Sequence, residues 1–146
     1  MTDFICDIDG TVANNDHRRA YVQSVPRNWA AYEARMEHDL PISPVIEILW
    51  ALFAAGHNII MCSARGEQSR QTTEEWLSRY NIRYHKLYMR AAGDYRNDSI
   101  IKGELLDQML EDGYQPTAVF DDRPSVVEQW RERGLFVFNV GDGVPF

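Results

Sequence analysis

The sequence predicts an α/β fold in which helices cover both faces of a parallel sheet, a three-layer, doubly wound architecture. Two observations carry this expectation. Short apolar, β-rich runs alternate with helix-length amphipathic segments, and that alternation implies right-handed crossovers and a buried parallel sheet. Each conspicuous polar cluster also follows one of the β-rich runs: Asp7 to Thr11, Ser63 to Gly66, Arg90 to Arg96, and Asp121 to Arg123. Ligands of such sheets bind beyond the carboxyl ends of the strands, so the clusters fall where a site is expected.

The elements follow in order. The run Phe4 to Ile8 reads as the first strand, and Gly10 breaks it. The next connection, Ala13 to Ile42, is longer than usual and contains amphipathic pieces around Tyr21 and around Trp29, Tyr32 and Met36. It reads as a small helical cap insertion at about 14–42 lying over the site. Pro44 to Ala55 carries Val45, Ile48, Leu49, Leu52 and Phe53 at helical spacing, with Gly56 as its stop. A strand at Asn58 to Cys62 precedes a helix from about Glu67 to Tyr80, with Thr73, Trp76, Leu77 and Tyr80 on one face. A strand at Lys86 to Met89 precedes a helix at Asp98 to Leu110 that buries Ile101, Leu105, Leu106 and Met109. Strands at Thr117 to Phe120 and Leu135 to Val140 flank a last helix, Pro124 to Arg133, opened by a proline suited to a first turn. Trp50, Trp76 and Trp130 are expected in or near the core.

A chain of 146 residues is expected to form one domain, 1–146, with a core of useful size. Its 45% hydrophobic and 25% charged residues disfavour disorder. A net charge of -7 argues against a broad nucleic-acid-binding surface, though not against a local basic groove. Cys6 and Cys62 sit inside apolar runs and read as small buried residues without a disulfide. Met1 leads directly into the first strand, no run reaches membrane-spanning length, and a reducing cytoplasm is the expected compartment.

Asp7 and Asp9 are two residues apart, so on a continuing strand they share a face. Burying two like charges together requires a compensating cation or proton. A hard divalent metal such as Mg²⁺ suits carboxylate and carbonyl oxygens. With Asp121 and Asp122 after another strand, the pattern points to metal-assisted phosphoryl transfer. Asp7 is the candidate nucleophile, forming an aspartyl-phosphate. Asp9 is the candidate acid and base, and its main-chain carbonyl a candidate metal ligand. Asp7, Asp9, Asp121 and Asp122 are the candidate metal residues, and the choice between Asp121 and Asp122 as direct ligand stays open. The Thr11 hydroxyl, the N–H groups after Gly10, and Ser63 with the N–H groups of Ala64 and Arg65 are candidate phosphate contacts. Lys102 would neutralise charge on Asp7 and the transferred group. Arg65, Arg96 and Arg123, like Arg90, either meet substrate phosphate or pair with nearby acids. Trp29 and Tyr32 either stack on a base or pack.

These pieces resemble the haloacid dehalogenase (HAD) superfamily of phosphotransferases. Asp7-Ile8-Asp9-Gly10-Thr11, Ser63, Lys102 and Asp121-Asp122 match its four motifs in order. The resemblance implies a Rossmann-like, HAD-type sheet, Mg²⁺, and the roles given above. Ser63-Ala64-Arg65, Thr73-Glu74-Glu75-Trp76-Leu77, Met89-Arg90, Gly93 to Asp98, Phe120-Asp121-Asp122-Arg123, Val126 to Arg131 and Val140 to Gly143 narrow it. They look like the 3′-phosphatase domain of phage polynucleotide kinase. That implies removal of a 3′-phosphate from a nucleic-acid end or nucleotide. The chain has no Gly-x-x-x-x-Gly-Lys-Ser/Thr phosphate loop for a kinase half. Its insertion, with His17-Arg18-Arg19, Arg27-Asn28-Trp29 and Tyr32, looks more like stand-alone phage phosphatases. The rival expectations are a phosphatase of free nucleotides or other metabolites, and a non-catalytic binding module.

Overall fold

The computed structural model describes residues 1–143. Five parallel strands form the central sheet: β1 (Asp3–Cys6), β4 (Asn58–Gly66), β5 (Lys86–Arg90), β6 (Pro116–Asp121) and β7 (Phe136–Asn139), in the order β5-β4-β1-β6-β7. Parallel neighbours need crossovers, and helices α3 (Ser43–Ala54), α4 (Arg70–Arg79), α5 (Asp98–Glu111) and α6 (Pro124–Glu132) supply them. The order steps outward from β1 in both directions, so β1 sits at the topological switch point.

Alternation along the strands builds two cores. Cys6, Ile59, Met61, Leu87, Met89 and Phe120 face Val45, Ile46, Leu49, Trp76 and Leu77 of α3 and α4. Ile5, Ile60, Cys62, Tyr88, Val119 and Val137 face Ile101, Leu105, Leu106, Met109, Val126, Val127 and Trp130 of α5 and α6. Strands buried on both faces explain why the sequence shows continuous apolar runs. Trp76 and Trp130 are 1% and 0% exposed, and truncating either to alanine would cost about 3–5 kcal/mol.

Trp50 departs from the expectation. It is 45% exposed, with its indole N–H donating to the Asn81 carbonyl at 2.9 Å. Val45, Ile46 and Leu49 already occupy the inward stripe of α3, and the next residue turns away from it. The segment after β4 begins with a 3₁₀ turn at Glu67–Ser69 before α4. Cys6 and Cys62 are buried and free.

The insertion contains α1 (Asp16–Gln23), α2 (Trp29–Glu33) and a 3₁₀ turn at Met36–His38. A short antiparallel ribbon, β2 (Ala13–Asn14) with β3 (Leu40–Pro41), closes its base. The ribbon brings both ends of the segment back to the carboxyl end of β1. Among the described residues no helix is long and apolar enough to cross a membrane.

Candidate active site

The carboxyl end of β1 leads into a tight turn in which the Ile8 carbonyl accepts the N–H groups of Thr11, Val12 and Ala13. Gly10 makes this turn possible for two reasons. Its φ is +80°, and a Cβ there would lie 2.0 Å from Oδ2 of Asp122. The strand ends thus approach closely enough for Asp7, Asp121 and Asp122 to bring one carboxylate oxygen each within 4.8 Å of the others.

Lys102, one turn into α5, lies beneath this group. Its ammonium donates to Asp7 Oδ1 and to Asp121 Oδ2, each at 2.8 Å. The Thr11 hydroxyl is 3.1 Å from Asp7 Oδ2 and 3.3 Å from Asp122 Oδ1. Asp121 also accepts the Trp130 indole N–H at 3.0 Å and the Asp122 N–H at 2.8 Å. The close approach of Gly141, where a Cβ would lie 2.3 Å from the Asp122 carbonyl oxygen, holds the other side of Asp122.

Burial pushes the Asp7 carboxyl well above the usual carboxylate range, and the Asp121 charge adds to it against the counter-pull of Lys102. Burial likewise raises Asp122. Burial alone would lower the Lys102 ammonium, but Asp121 and Asp7 raise it well above the usual lysine range. Three buried carboxylates facing one ammonium form a site short of positive charge. An all-oxygen donor set with excess negative charge fits a hard divalent cation.

Asp9 is oriented differently from its neighbour Asp7. Its carboxylate accepts from Arg18 Nη2 at 2.6 Å and from Arg65 Nη2 at 2.6 Å and Nε at 3.1 Å. Burial pushes the Asp9 carboxyl up, but the Arg65 and Arg18 guanidiniums outweigh it and hold it at about 2. The same two arginines meet Asp39, which accepts from Arg18 Nε and Nη2 at 2.8 Å and from Arg65 Nη2 at 3.2 Å. His17 Nε2 lies 2.7 Å from Asp39, and the Trp76 indole N–H donates to the Asp39 carbonyl at 2.9 Å. Arg65 Nη1 donates to Thr73. Two guanidiniums and two carboxylates, all buried but the partly exposed Asp9, therefore form a quartet joining the insertion, the turn after β1 and the end of β4.

The remaining expected residues separate. Ser63 is buried inside β4, which runs on to Gly66 rather than ending at Cys62, and its hydroxyl accepts the Arg65 N–H at 3.1 Å. Ala64 lends its carbonyl to Arg90 Nε at 2.8 Å. Arg123 pairs with Asp98, which also binds Arg90. Arg96 is exposed and lies outside the cluster, pairing with Asp94 and Glu104. Asp39 escapes sequence reasoning, and Arg18 has there only the faint signal of a basic triplet, His17-Arg18-Arg19. Nothing local predicts that either reaches Asp9.

A parallel sheet whose strand ends bring together three carboxylates and a buried lysine has the arrangement of the HAD-type phosphatases. Residues 2–144 match the family described as the polynucleotide kinase PNKP phosphatase domain, and the chain belongs to that family. A protein of Autographa californica nuclear polyhedrosis virus, named as a bifunctional polynucleotide kinase/RNA ligase, is 33% identical over 138 residues, covering 93% of this chain and 19% of its own. A chain in the structure of the Pnkp1/Rnl/Hen1 complex superimposes with a TM-score of 0.84 at 35% identity, over 98% of this chain and 47% of that one. This chain thus spans less than half the length of either relative. The class C acid phosphatase from Bacillus anthracis shares the fold at 13% identity and a TM-score of 0.70, over 99% of this chain and 68% of its own.

Proposed function

We propose that this chain is a Mg²⁺-dependent phosphomonoesterase that removes 3′-phosphates from nucleic-acid ends. The observation that carries the reading is the buried group of Asp7, Asp121, Asp122 and Lys102 at the switch point of a sheet that belongs to this phosphatase family.

Asp7 attacks phosphorus, the bond from phosphorus to the 3′ oxygen breaks, and Asp9 gives a proton to that oxygen. Water then attacks the aspartyl-phosphate, Asp9 takes its proton, and inorganic phosphate leaves with Asp7 restored. Lys102 and Thr11 hold the two oxygens of Asp7 and fix its direction of attack. The hydroxyl of Ser63 and the N–H group of Ala64 bind nonbridging oxygens. Asp7, Asp122 and the Asp9 carbonyl would hold Mg²⁺, with Asp121 behind them, and the ion would supply positive charge to the transferring phosphoryl group.

Asp9 held at about 2 by the arginine pair is a carboxylate, the form that accepts a proton from water. The acid step needs it protonated and released.

The test is Mg²⁺-dependent phosphate release from a 3′-phosphorylated oligonucleotide, its 5′-phosphorylated isomer, and 3′- and 5′-mononucleotides. Preference for the 3′-phosphorylated oligonucleotide is expected. Preference for mononucleotides would move the enzyme to nucleotide metabolism, and no release from any of them would overturn the catalytic reading.

A further inference from the structure

Three successive contacts lead from the acid site to an exposed tryptophan. Arg18 binds Asp9; its guanidinium carbon lies 4.2 Å from the centre of the Tyr32 ring; and Tyr32 meets Trp29 edge to face at 5.8 Å. Tyr32 is itself fixed, since its hydroxyl accepts from Asn15 at 3.0 Å. Trp29 opens α2, whose first turn is capped by the Asn28 side chain accepting the Ala31 N–H at 3.0 Å. The other end of α2 touches the turn after β4 through Glu33 and Gln68. Trp29 is therefore linked to the acid site through Tyr32 and Arg18, yet 53% of it is exposed.

A lone exposed aromatic is ordinary. This one differs in being joined by Tyr32 and Arg18 to a site for phosphate chemistry, two residues from an exposed cation. Arg27, two residues earlier, makes no hydrogen bond or ion pair among the described residues. In a chain of net charge -7 an exposed arginine without a hydrogen-bond or ion-pair partner among the described residues, two residues before Trp29, favours an anionic polymer. An aromatic face beside a cation is how single strands are bound without sequence preference: bases stack on the ring and the cation follows the backbone.

We propose that Trp29 is a stacking platform for a base at the 3′ end of a single strand, with Arg27 on a neighbouring phosphodiester. The insertion then selects nucleic-acid ends by their bases as well as by their phosphate. This inference rests on the nucleic-acid reading above.

The test compares kcat/KM for two 3′-phosphorylated single strands, one normal and one lacking bases on its last two sugars. The unmodified enzyme should prefer the normal strand. Trp29→Ala should cut that preference about 5- to 150-fold, the range of base–aromatic stacking, mainly through KM, while Trp29→Phe keeps most of it. An unchanged preference in Trp29→Ala overturns the platform and leaves the phosphatase reading standing. No release by the unmodified enzyme from either strand overturns the phosphatase reading, and the platform with it.

Discussion

Asp39→Asn tests whether the quartet fastens the insertion to the sheet. Asp39 is fully buried, and the side chains of Arg18 and Arg65 are 0% and 1% exposed. The two guanidiniums are balanced by Asp9 and Asp39 alone within the quartet. The substitution removes one of those charges and turns an amide N–H group toward groups that can only donate. Breaking a buried ion pair by removing one partner costs about 3–5 kcal/mol, because the other charge stays desolvated. At roughly 2–4 °C per kcal/mol for a chain near this size, the melting temperature should fall by about 6–20 °C.

Calorimetry of the unmodified chain, Asp39→Asn, Arg18→Met and the double variant measures this. In the double variant one arginine again faces one carboxylate. Its loss should therefore be smaller than the sum of the single losses, by about 1 kcal/mol or more. Added salt should change these differences little, since buried pairs are weakly screened. A melting temperature for Asp39→Asn within about 2 °C of the parent's, on that same scale, would refute the reasoning. Strict additivity in the double variant would refute the proposed balance of charges.

Asp7→Asn should abolish phosphate release, yet melt no lower than the parent in metal-free buffer. Burial and the Asp121 and Asp122 charges already disfavour charge on Asp7, and residual turnover in a phosphate assay would remove it as nucleophile. Mg²⁺ should raise the melting temperature by linkage, about 2.7 kcal/mol at a hundred times its Kd. Asp122→Asn should abolish most of that rise, and a full rise in the variant would locate the ion elsewhere. Gly10→Ala should lose both activity and stability. Its φ of +80° strains any side chain and its Cβ would displace the Asp122 carboxylate 2.0 Å away, with backbone strain alone costing about 1–3 kcal/mol. A melt and a turnover number equal to the parent's would contradict this.

What was legible in the sequence divides along a physical line. The five strands could be read from their apolar runs, and the meeting of Asp7 with the Asp121-Asp122 pair from position at strand ends. Period two instead placed Asp9 beside Asp7, but β1 ends at Cys6 and the turn directs Asp9 to Arg18 and Arg65. Lys102 was readable from its place near the start of a helix and from the order of the motifs, and its burial with Ile101, Leu105 and Leu106 is what the structure adds. Arg65 and Arg96 look alike in sequence, each following a β-rich run. The first is buried against Asp9 and the second is exposed between Asp94 and Glu104. Only the path of the chain after the strand separates them.

Asp39 shows the limit more sharply. Its partners Arg18 and Arg65 are 21 and 26 residues away, on different elements. No periodicity in the Asp39-Leu40-Pro41-Ile42 stretch encodes that meeting. Asp7 and the two carboxylates that meet it use directions set by the main chain at strand ends, which local pattern records. The lock on Asp9 depends on long side chains from an insertion reaching across to the sheet, and only the folded chain records that.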